Sequence, residues 1–60
     1  MTTSLVLDGW TVEAHHNTLS KKHINIILEK DWYNVIINAS QEDATLFPVG
    51  TKVKIILEKE

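Results

Sequence analysis

Ile24-Asn25-Ile26-Ile27-Leu28-Glu29-Lys30-Asp31 returns later in the chain as Val53-Lys54-Ile55-Ile56-Leu57-Glu58-Lys59-Glu60. Side chains alternate between the two faces of a strand. Each copy therefore gathers three aliphatic residues on one face: Ile24, Ile26 and Leu28, or Val53, Ile55 and Leu57. Each copy also sets one isoleucine on the opposite face, Ile27 or Ile56, and the segment Trp32 to Asn38 does the same with Ile36. The pattern reads as all-β, with a second apolar stripe that needs a cover.

The first copy runs straight into a partner. His23 to Lys30 and Trp32 to Asn38 form a hairpin around Asp31. A loop of Lys30 and Asp31 sets Leu28 opposite Tyr33, Ile26 opposite Val35 and Ile24 opposite Ile37, so inward residues meet inward residues. Lys-Asp is a weak type I′ pair, and a longer loop with a bulge is the alternative. Upstream, Leu5-Val6-Leu7-Asp8-Gly9-Trp10-Thr11-Val12 reads as a second hairpin. Asp-Gly between alternating segments suits the two positive-φ positions of a type I′ turn. His16 to Lys22 is a polar loop.

The alternation breaks from Ala39 to Gly50. Ser40-Gln41-Glu42-Asp43 fits a helix-capping pattern, and Pro48 ends the helix, which predicts a short helical turn around residues 41–46. Leu46 and Phe47 are expected to plug an open end of the sheet. Pro48-Val49-Gly50-Thr51-Lys52-Val53 resembles the turn that leads into a strand in many small β-barrels, and it carries no function with it. The expected fold is a five-stranded antiparallel meander, curled into a small barrel or a strongly twisted sheet. Its inner face holds Leu5, Leu7, Trp10, Val12, Ala14, Ile24, Ile26, Leu28, Tyr33, Val35, Ile37, Val53, Ile55 and Leu57.

Sixty residues make one domain, taken as 1–60. A domain this small buries only about 60% of the surface its unfolded chain exposes, and small folds often add disulfides, a metal or oligomerisation. There is no cysteine, so disulfides and cysteine-based zinc sites are excluded. The net charge is −2, from six lysines and eight acidic residues spread along the chain. That balance argues against a basic nucleic-acid-binding face. Met1-Thr2-Thr3-Ser4 lacks a basic leader, and apolar runs are too short for a membrane helix, so a cytoplasmic protein is expected.

The chemistry-bearing residues are sparse. His15, His16 and His23 are the metal-type residues, but adjacent His15 and His16 point to opposite faces of a strand, so no metal site and no cofactor is expected. Ser4, Ser20 and Ser40 lack a nucleophile context, and Gly9 and Gly50 make no phosphate loop, so no enzyme is expected. Contiguous apolar patches mark interaction sites. The expected protein interface is Trp32, Ile27, Ile36, Ile56 and Val6, with Trp32 as its anchor. The C-terminal strand carries Lys52, Lys54, Glu58 and Lys59, which discourage uncontrolled edge pairing. A symmetric dimer, by edge pairing or face packing, is the leading assembly.

The sequence therefore points to a non-enzymatic protein-binding module that works as a homodimer or small oligomer. A compact inhibitor or accessory protein of viral or mobile-element type fits that description. Its partners would be a second copy and another protein, without membrane or nucleic acid. One alternative is a small-ligand or nucleotide sponge, with an intersubunit pocket drawn from Trp32, Tyr33, His15, His23 and lysines. The other is a single-strand nucleic-acid binder of OB-like or SH3-like type, stacking bases on Trp10, Trp32 or Tyr33.

Overall fold

A computed structural model describes residues 3–60; Met1 and Thr2, the start of the segment read for a leader, lie outside the described residues. The elements follow as β1 (Ser4–Asn17), β2 (His23–Lys30), β3 (Tyr33–Ser40), α1 (Gln41–Thr45) and β4 (Lys52–Glu58). One antiparallel sheet has the order β3-β2-β1-β4 and is not closed into a barrel. The class is all-β with one short helix, but the described residues form four strands rather than five.

The lost strand boundary is at Asp8-Gly9. Leu5 to Val12 is not a hairpin; it is the middle of β1, which spans 14 residues. Leu7 pairs with Ile55 and Trp10 with Val53, so Asp8 and Gly9 together oppose Lys54. Gly9 has φ 87°. A bulge with glycine in the left-handed region makes the same demand on the backbone as a type I′ turn. The dipeptide satisfies either, and β4 supplies Leu5, Val6 and Leu7 with partners from the far end of the chain. Lys30 fixes the bulge from β2 by donating from Nζ to the Asp8 carbonyl.

The β2–β3 hairpin turns one residue later than expected, which shifts every cross-strand partner by two. Its loop is Asp31 and Trp32, with φ 47° and 74°, and Lys30 pairs with Tyr33. Both central residues of a type I′ turn need positive φ. A shift of two keeps every residue on its face, so Leu28 now meets Val35, Ile26 meets Ile37 and Ile24 meets Ala39. On the other face Ile27 meets Ile36, and Asn38 Nδ2 donates to Asn25 Oδ1 at 3.2 Å. A Lys30-Asp31 loop would instead put Ile27 opposite Asn34 and Asn25 opposite Ile36, and would lose both matches.

A second bulge corrects the inner face. Val12 pairs with Leu28, but Ala14 pairs with Ile27 and His15 with Ile26. One extra residue in β1 flips the parity. His15, not Ala14, therefore continues the inner face. Its Nε2 donates to the Phe47 carbonyl at 2.7 Å and ties the loop after α1 to the sheet. Gly50 donates to the Val12 carbonyl at 2.8 Å and Val12 to the Thr51 carbonyl at 2.9 Å, which returns the chain to β1.

The core is small. Trp10, Val12, Ile26, Leu28 and Ala44 are buried, with Leu7, Ile24, Val35, Ala39, Val53 and Ile55 packed around them. Ser40 caps α1, its Oγ accepting from the Asp43 amide at 3.1 Å. The cap presents Ala44 to the sheet, and Ala44 is the plug. Leu46 is exposed, and Phe47 only lines the cleft beside it. No helix among the described residues is long and apolar enough to cross a membrane.

Candidate protein-interaction site

β1 changes partners halfway. Its second half, from Thr11 to Asn17, pairs with β2, and its first half, from Ser4 to Thr11, pairs with β4. Thr11 is the hinge, facing Glu29 on one side and Lys52 on the other, and Lys52 Nζ donates to its Oγ1 at 2.9 Å. The molecule thus has two wings. The β1–β2–β3 wing is three strands deep and carries α1. Beyond the Gly9 bulge, the β1–β4 wing is a ribbon of two strands.

The expected interface residues divide between these wings. Ile27 and Ile36 form a cross-strand pair on the outer face of the first wing, and Ala14 joins them. Ile36 is 65% exposed. Trp32 stands at the hairpin tip of the same wing, 96% exposed, with Tyr33 beside it, also exposed. Val6 and Ile56 form a separate pair on the second wing, each about half exposed. The Gly9 bulge, Thr11, Glu29 and Lys52 lie between the two pairs, so the single stripe read from the sequence is two patches.

Leu5 and Leu57, expected on the inner face, are paired with each other and 52% and 55% exposed. Among the described residues, nothing lies over the inner face of a ribbon that β2 and α1 do not reach. The signal for this is the mismatch in length between β1 and its partners, which no local pattern in the sequence shows. Tyr33 is also outside the core, displaced towards the hairpin tip by the two-residue shift in register.

The ligand candidates do not converge. His15 faces Ile26 on the inner side, while Tyr33 and Trp32 stand at the far end of β2 beyond Lys30. His23 is the first residue of β2, where it pairs with Ser40. Its Nδ1 lies 3.2 Å from Ser20 Oγ, and its carbonyl accepts from Thr18 Oγ1 at 3.0 Å. No group of three metal-ligating side chains lies together among the described residues. What does form is an open apolar cleft of about 300 Å³ between the wings, lined by Val12, Ile26, Leu28, Ile37, Phe47, Val53 and Ile55 among others.

The molecule is loose for its size. Its accessible surface is 5047 Å² and its mass 6.8 kDa. Folded monomers of that mass expose about 4,000 Å² by the general scaling. The radius of gyration is 12.4 Å, against about 10 Å for a compact domain of this length. The surplus of roughly 1,000 Å² exceeds the ~800 Å² that each partner contributes to a standard protein interface. The chain matches no protein-family model, no curated protein and no solved structure.

Proposed function

We propose that the chain is a non-enzymatic protein-binding module that works as a homodimer or small oligomer, a compact inhibitor or accessory protein acting in the cytoplasm. The observation that carries this reading is the surplus of surface, together with two patches of exposed apolar side chains. The patches divide the work. Val6 and Ile56 lie on the open ribbon and suit a second copy. Trp32 and Ile36 stand on the hairpin wing and suit a foreign protein, whose action would be blocked by occlusion. Trp32 supports this half of the reading because it holds a positive φ of 74° while its side chain is almost fully exposed. Bulky residues avoid that region, and strain kept at an exposed site is a mark of function.

The test is the mass in solution, by light scattering on a size-exclusion column from dilute to concentrated protein. A dimer or larger species is expected. A monomer at every concentration sinks the self-association half of the reading.

The apolar cleft favours one second reading, a small apolar ligand in place of the expected nucleotide. Its volume is at the lower bound of ordinary ligand sites, about 300 Å³. A rise in melting temperature with fatty acids or other apolar metabolites would support it. No rise across such a panel removes it.

A further inference from the structure

We propose that two copies of this chain join β4 to β4, antiparallel about a two-fold axis at Ile56, into one continuous sheet. The inference rests on the self-association reading above and names the surface and the register.

The first ground is the ribbon itself. Residues 4–7 and 55–58 form two strands with aliphatic pairs on both faces, Leu5 with Leu57 and Val6 with Ile56, all about half exposed. A two-stranded ribbon is marginal alone in water, and a third and fourth strand stabilise it. A second copy laid along β4 turns it into the four-stranded run β1-β4-β4-β1. The surplus of surface is large enough for such an interface.

The second ground is the edge chemistry. Lys59 donates its amide to the Thr3 carbonyl at 2.9 Å. Hydrogen-bonded and non-bonded pairs alternate along an antiparallel ladder, so Leu57 and Ile55 also turn their backbone groups to β1. Lys54, Ile56 and Glu58 then turn their N–H and C=O groups to the open edge. An antiparallel pairing centred on Ile56 matches all three at once. Ile56 meets its own copy, and Lys54 meets Glu58 of the other chain on either side. On the opposite face Ile55 meets Leu57.

Neighbouring registers are worse. A centre at Lys54 sets lysine against lysine. A centre at Ile55 sets Ile56 against Lys54, and a centre at Leu57 sets Ile56 against Glu58. Opposite charges directly across a ladder attract and like charges repel, so Lys54 and Glu58 select the register as well as permit it. The other free edge, β3, carries no charged side chain in Tyr33–Ser40 and has no such code.

Charge exchange tests this. Lys54→Glu alone or Glu58→Lys alone creates two like-charge pairs across the axis, and each is expected to weaken the wild-type dimer by about tenfold in Kd. Mixing the two variants pairs acidic with basic strands throughout and is expected to restore a dimer, now of two different chains. The double variant Lys54→Glu/Glu58→Lys is expected to restore a homodimer. Circular dichroism on each variant checks that the fold is kept, and recovery on mixing shows that neither has unfolded. A wild-type dimer that survives both single exchanges unchanged overturns the β4 pairing and leaves β3 or a sheet face as the interface. Failure to recover on mixing overturns it too. A wild-type monomer throughout fails the self-association reading instead, so the two failures are told apart.

Discussion

Trp32→Gly is expected to make this protein more stable. The argument runs through the turn. A type I′ loop needs positive φ at both central residues, and Asp31 and Trp32 supply 47° and 74°. An L-residue in the left-handed region costs about 1–2 kcal/mol. Asp tolerates the region because its short side chain bonds locally, and an indole has no such relief. Almost no burial offsets the cost, since Trp32 is 96% exposed. Glycine removes the strain and costs about 0.4–1 kcal/mol through the greater freedom of the unfolded chain. The net gain is about 0.5–1 kcal/mol, or a rise of roughly 2–8 °C in melting temperature for a domain of this size.

Thermal unfolding followed by circular dichroism, at one protein concentration, reads this directly. Trp32→Ala is the control, because it removes the indole and keeps the strain, and it is expected to melt with the wild type. Trp32→Asn is expected between Ala and Gly. If Ala and Gly lower the melting temperature equally, the indole is packed in solution and the strain argument is refuted. If the order holds, the tryptophan is kept at a cost to stability, which is the signature of a contact residue.

The remaining predictions concern the frame. Gly9→Ala is expected to destabilise by about 1–2 kcal/mol, because φ is 87° there and the new methyl would sit 3.3 Å from Lys30 Cε. Chemical denaturation measures it. Leu28→Ala, in the centre of the buried cluster, is expected to cost about 2–5 kcal/mol. A 60-residue domain has about 3–9 kcal/mol in total, so the variant is expected to lose about half of its stability, read as a lower denaturation midpoint. Ser40→Ala removes the cap on the Asp43 amide and is expected to cost about 1 kcal/mol. Its mark beyond lost stability is faster exchange of that amide.

Much of this architecture is legible in the residues. The repeat of Ile24–Asp31 in Val53–Glu60 identified two real strands and their faces, and Ser40 with Asp43 placed the helix. Period-two patterns carry that information because they survive any shift of register by two. The same property hid the Asp31-Trp32 loop, since the shifted pairing preserves every inward residue. Bulges are the harder case. At Asp8-Gly9 a left-handed glycine suits a hairpin and a bulge equally, and only the distant β4 decides between them. At Val12–Ala14 no glycine marks the bulge at all, and it exchanges Ala14 for His15 on the inner face. For the candidate site, the sequence marked Ile27, Ile36, Ile56 and Val6 as outer-face residues, but not the pairs Ile27–Ile36 and Val6–Ile56 that they form. It did not contain their separation, because that follows from β1 changing partners at Thr11. Leu5 and Leu57 were misplaced for the same reason.

The central claim is that the open edge of β4 is covered by a second copy. Amide hydrogen exchange of β4, resolved by residue and repeated from dilute to concentrated protein, tests it most directly. The account predicts that Leu57 and Ile55 are protected at every concentration by β1. It also predicts that Lys54, Ile56 and Glu58 gain protection together as the concentration rises. Fast exchange at Lys54, Ile56 and Glu58 in concentrated protein would contradict it.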